Sequence, residues 1–296
     1  MTSFTDAPRL PVIDLSLFEV GNPWRDHVAA QIDWAAAEFG IFRLVNHSID
    51  PGLIDSLARL SRSFFAREVG VEHRVRASLA GLAEFREELI FDSAFTKDES
   101  AALPAFASPD RDVFFQLPGF GDVVREYMAA VTGLSHRLMT SFARGMRLGD
   151  NYFVDRYTGD ASCRLNIVSQ RQGSRADARA PTDTGLTGEP ALLTILDHDE
   201  CARLEVTYGK HSIEVPHVPG ALLCGVGKPL SRLTAGRYPP ARYRLTSPSS
   251  RETLATSFSF GSGIVHHAKT DPLVRAAAFA PMPVSRSWRS PACRSP

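Results

Sequence analysis

The side chains best suited to metal, redox or acid–base work are nine histidines and four cysteines, and their spacing decides what they can do together. His198 and Glu200, in the run LDHDE, stand two apart. On an extended segment two such side chains point to one side and can grip a single ion. The plainer reading of so acidic a run is an exposed polar turn, and that is the reading favoured. His266 and His267 are adjacent, so they point to opposite faces. His211 and His217 flank the short run SIEV and read as solvated loop residues. Cys163, Cys201, Cys224 and Cys293 contain no CxxC pair. That argues against a zinc knuckle or a disulfide framework and fits a reducing, cytoplasmic compartment.

The elements that must position such groups divide near residue 150. Before it the pattern is helical: 23–39, with Val28, Ile32, Ala35 and Phe39 on one face and Gly40 as a stop, then 51–67 opening on a proline. Between the two, Ile41–Val45 reads as a strand. Residues 79–112, interrupted by Pro104 and Pro109, read as loop with short elements. A long helix is expected over 121–147. Val124, Tyr127, Met128, Val131, Leu134, Leu138, Phe142 and Met146 recur along it as a stripe that packs on a sheet. After residue 160 short apolar runs alternate with Gly-, Pro- and Asp-rich turns, as in an all-β sandwich or barrel. They are 191–196, 204–207, 213–215, 221–226 and 256–260. Residues 266–296 read as a peripheral segment with a loosely ordered end.

Lys plus Arg and Asp plus Glu are each 33, which argues against a chain built around nucleic acid or anionic membrane. No apolar run approaches the roughly 18 residues of a membrane span, and the first nine residues lack the layout of a secretory signal. The expected partner is a small-molecule substrate; oligomeric state is not encoded in any pattern.

Several segments carry a resemblance. LPVIDLSLF (10–18), EFGIFRLVNHSID (38–50), LPGFGDVVREYMAAVTGLSHRLM (117–139), SCRLNIV, ALLTILDHDECARLEV, EVPHVPGALLCGVGKPLSRLTAGRY and SRETLATSFSFG follow one another. In this order they resemble the isopenicillin N synthase-like Fe(II)/2-oxoglutarate-dependent oxygenases over residues 8–265. The resemblance implies a mainly β fold with N-terminal helices (α+β). Its core would be a double-stranded β-helix, the cupin-like jelly roll. One domain over 1–296 is expected, with a helical layer over 1–150 and the jelly roll over 160–265. His47 falls in the family's structural NHGI segment.

The family's metal-binding residues do not carry over. Its H-x-D pair falls either on Pro181 and Asp183 or on Thr187 and Glu189, and both placements lose the histidine. The distal histidine position falls on Tyr243, followed by Arg244 and Leu245. A neutral phenol, titrating near 10, is a weak metal ligand at neutral pH. The R-x-S that holds the far carboxylate of 2-oxoglutarate falls on Thr253 and Ala255, a loss of roughly 1.5–3 kcal/mol for a charge-assisted contact. Arg251 is nearby, two residues out of register. Arg164, Leu165 and Asn166 match the family's RLN strand, with Ile167 where a tyrosine is usual.

The expectation is therefore a degenerate member with no metal ligands and no cofactor, binding neither Fe(II) nor 2-oxoglutarate. Asp183, Glu189 and Tyr243 are its candidate acid–base groups, and Arg164, Asn166, Arg244 and Arg251 its substrate contacts. The chemistry expected is a non-oxidative isomerisation, cyclisation, elimination or hydrolysis of a small metabolite. By family analogy the setting is natural-product biosynthesis. The alternatives are an oxygenase with non-standard iron ligands, such as Asp183 or Glu189 with His198, and a non-catalytic binding or scaffold protein.

Overall fold

The computed structural model describes residues 9–66, 84–93, 117–172, 191–246 and 251–262. A seven-stranded sheet and a three-stranded sheet form the jelly roll, and the larger sheet carries the helices on its outer face. Its order is β1 (Val12–Asp14), β2 (Ile41–Val45), β8 (Leu222–Val226), β5 (Ala191–His198), β10 (Thr253–Gly261), β4 (Ser162–Gln172) and β3 (Glu84–Asp92). The smaller sheet runs β7 (His211–Val215), β6 (Arg203–Tyr208) and β9 (Tyr243–Thr246).

The helices follow the apolar periodicity. α1 (Arg25–Phe39) ends at Gly40, whose φ of 69° is the left-handed stop that glycine supplies without strain. α2 (Pro51–Phe65) starts under the Asp50 side chain, which accepts from the Gly52 N–H. α3 (Phe120–Gly145) buries the expected stripe from Val124 through Phe142 against the sheet. A short α4 (Lys228–Leu233) follows β8. Among the described residues no helix is long and apolar enough to cross a membrane.

Alternation along the strands separates two cores. Leu165, Ile167, Leu193, Ile195, Phe258 and Phe260 face the helices. Val168, Leu196, Leu223 and Ala255 face the smaller sheet, where they meet Leu204, Val206, Val215, Tyr243 and Leu245. One expectation changes: 84–92 is a nine-residue strand paired along its length with β4, not loop. Charges at Glu84, Arg86, Glu87 and Glu88 hide the alternation that buries Phe91. The candidate positions 181–189 and the expected peripheral segment 266–296 lie outside the described residues.

Candidate functional site

Between the two sheets three buried polar atoms have no hydrogen-bond partner among the described residues: Asn166 Oδ1, Ser257 Oγ and the Tyr243 hydroxyl. All three sit on inner faces. Asn166 shares the inward face of β4 with Val168, and Ser257 shares that of β10 with Ala255. Asn166 and Ser257 are directly opposite each other in the antiparallel ladder, a separation of about 4.5–5.5 Å between Cα atoms. Tyr243 reaches in from the other sheet, and burial pushes its phenol well above the ordinary value, so it stays protonated.

The remaining predicted residues separate. Arg164 is half-buried on the same face of β4 as Asn166. Arg244 points away from the chamber: it is exposed on the opposite face of β9 and pairs with Glu205 at 3.1 Å. Arg251 is exposed just before β10. Thr253 is buried, with its hydroxyl donating to the Gln170 carbonyl at 3.1 Å. Asp183 and Glu189 lie outside the described residues, as do Pro181 and Thr187.

Two of the described histidines, His47 and His198, are buried and engage the backbone. His47 Nδ1 accepts from the Ile49 N–H at 3.2 Å, which leaves Nε2 to donate to the Gly220 carbonyl at 3.0 Å. His198 is not in an exposed turn. It is the buried last residue of β5, with Nδ1 3.0 Å from the Asp199 carbonyl and its ring edge-on to His217. The apolar run ALLTIL simply continues through Asp197 and His198, a signal that the acidic composition of LDHDE obscures.

Sequence reasoning missed Asp197 altogether. Burial pushes its carboxyl up to about 6, against one hydrogen bond from the His198 N–H that favours the anion. A carboxyl whose folded pKa is raised binds more protons folded than unfolded, so stability falls as pH rises from about 4 to about 6. Asp197→Asn is therefore expected to raise the urea midpoint at neutral pH, with the gain vanishing near pH 4. A gain that persists unchanged at low pH would contradict this cause.

Known proteins resemble the chain both in sequence and in fold. Residues 10–78 match the family described as the non-haem dioxygenase in morphine synthesis N-terminal region. A probable iron/ascorbate oxidoreductase of Dictyostelium discoideum is 26% identical, over 80% of this chain and 76% of that protein. A 1-aminocyclopropane-1-carboxylate oxidase of Dictyostelium mucoroides is 23% identical, over 79% and 76%. Among solved structures, a full-length Neurospora crassa protein in complex with alpha-KG is 17% identical, with a TM-score of 0.67 over 87% of this chain and 86% of that one. JOX2 in complex with 2OG, Fe and JA is 21% identical, with a TM-score of 0.63 over 86% and 75%. The chain is thus similar in sequence to an iron/ascorbate oxidoreductase and to 1-aminocyclopropane-1-carboxylate oxidases, and it shares its jelly-roll fold with solved 2-oxoglutarate-binding proteins.

These relatives correct the expectation that neither Fe(II) nor 2-oxoglutarate is bound. Proteins of the same fold carry both, and the supposed loss of the first histidine rests on positions 181–189, outside the described residues. The described residues alone do not fit an iron ion. Among them no three His, Cys, Asp or Glu side chains stand together as a metal-binding group, and Tyr243 offers a protonated phenol.

Proposed function

We propose that the chain is an oxygenase of the 2-oxoglutarate–Fe(II) class acting on a small organic molecule enclosed between the two sheets. The observation that carries this reading is the set of unpartnered atoms on Asn166, Ser257 and Tyr243. A buried polar group left unpaired costs about 1–3 kcal/mol, and a bound ligand that pairs it removes that cost. Asn166 Oδ1 only accepts, so the ligand brings an N–H or O–H to it; Ser257 and Tyr243 can give or accept. Relatives support the size of the guest: the Neurospora crassa protein is solved with thymine and JOX2 with JA. With Fe(II), 2-oxoglutarate and a panel of small metabolites, oxygen uptake and succinate formation should rise together and stop on chelation. Oxygen uptake and succinate that do not depend on added iron for any substrate would end this reading.

A second reading is favoured by Tyr243 itself. A buried, protonated phenol whose hydroxyl has no partner among the described residues is suited to donate to a developing oxyanion, as a non-oxidative isomerisation or elimination requires. Substrate conversion under nitrogen separates the two, since only this second reaction proceeds without oxygen.

Both readings make Tyr243→Phe informative. Deleting an unpaired hydroxyl from a packed site should stabilise the ligand-free chain by about 1 kcal/mol. It should also weaken substrate binding about 3–10-fold, the value of one hydrogen bond. Thermal melting with and without substrate checks both signs; a destabilised ligand-free variant would show that the hydroxyl already has a partner.

A further inference from the structure

A cavity of about 280 Å³ lies outside the jelly-roll chamber, where α2 and α3 meet the ends of β5, β8 and β10. Its floor is apolar, with Ile54, Leu57 and Ala58 from α2. Asp197 stands in its wall. One oxygen of that carboxyl accepts the His198 N–H at 2.9 Å, and no ion-pair partner reaches it among the described residues.

The charged and titratable neighbours are all committed elsewhere or share its sign. From α2 come Asp55, of like charge, and Arg62, which pairs with Asp199 at 3.1 Å. Asp199 is spent further on the N–H groups of Cys201, Ala202 and Leu254. From α3, the Tyr127 hydroxyl bonds to Thr256. His198 is held neutral by burial, and its Nδ1 is engaged with the Asp199 carbonyl. His217 packs edge-on to His198, and Glu200 adds another negative charge at the rim. The cavity thus presents a half-satisfied carboxyl above an apolar floor, with no cation to spare among the described residues.

We propose that this cavity binds a small organic cation, a primary aliphatic amine. Its ammonium pairs with Asp197 and its carbon chain lies along Ile54, Leu57 and Ala58. A metal ion fits poorly: a hard cation takes six or more oxygens, and no three-ligand group forms here among the described residues. The chemistry matches instead a single ammonium, three donors on a compact charge, with a tail that gains from leaving water. That burial, and then the like charges of Asp199 and Asp55, raise the Asp197 carboxyl agrees with a wall suited to an added counter-charge. The proposal does not depend on the oxygenase reading.

Titration calorimetry with n-butylamine on the full chain tests it, with n-butanol as the uncharged match. Near pH 7.5 the amine should bind saturably and the alcohol at least about tenfold more weakly, the value of a charge-assisted contact. Binding should fall by a similar factor in Asp197→Asn. In the unaltered protein it should also fall near pH 5, where Asp197 takes up a proton, so the result does not hang on the variant folding. Equal binding of the alcohol, unchanged affinity in Asp197→Asn or at low pH, or no amine binding up to millimolar concentration would each overturn the proposal.

Discussion

Asp33→Ala is expected to lower the unfolding free energy by about 3–5 kcal/mol, because it removes the buried carboxylate that pairs with the half-buried Arg237 guanidinium and accepts from the buried Tyr238 hydroxyl. Asp33 lies on the inner side of α1 and is itself buried. Its Oδ1 accepts from Arg237 Nε at 3.1 Å, from Arg237 Nη2 at 2.8 Å and from the Tyr238 hydroxyl at 2.5 Å. Oδ2 accepts a further bond from Arg237 Nη2 at 2.6 Å. Burial, then the Asp33 charge, pushes the Tyr238 phenol above its ordinary value. The network ties the first helix to the segment that enters β9, and so fixes where Tyr243 enters the chamber. Chemical denaturation followed by circular dichroism checks the figure. A loss under about 1 kcal/mol would place the pair among exposed bridges, which contribute that little.

Gly227→Ala should be nearly as damaging, by about 3 kcal/mol or more, for a different reason. A Cβ at this position would stand 1.8 Å from the Ala191 carbonyl oxygen and 3.1 Å from that of Leu192. Backbone, not a yielding side chain, is in the way. The Gly227 N–H also donates to the Leu192 carbonyl at 2.8 Å, so the turn out of β8 cannot retreat without losing a bond to β5. Thermal melting of the variant measures the cost; a midpoint unchanged within a degree or two would mean that the β5–β8 edge is packed differently.

Periodicity found what it could reach. α3 is legible because one stripe repeats at helical spacing for more than six turns, and β2 and β5 because branched and aromatic runs stand out. β3 was not, since the charges of an edge strand dilute its alternation, and β9 is only four residues long. The space between the sheets was legible in part: Asn166 and Tyr243, singled out through the resemblance, lie on inner faces of β4 and β9. Arg244 could not be placed without the strand register, where one residue's shift decides inside or outside. Ser257 and Asp197 gave no signal, because their roles arise from what lies across the sheet rather than along the chain. The expected absence of cofactors overreached in another way. It inferred lost binding from substituted residue types, whereas relatives of this fold bind both Fe(II) and 2-oxoglutarate.

The most direct test is calorimetric titration of 2-oxoglutarate into the Fe(II)-supplemented chain under nitrogen, so that binding is read without turnover. Saturable uptake at one site per chain is predicted. Flat heats at every concentration reached, with the protein folded and iron present, would contradict the account.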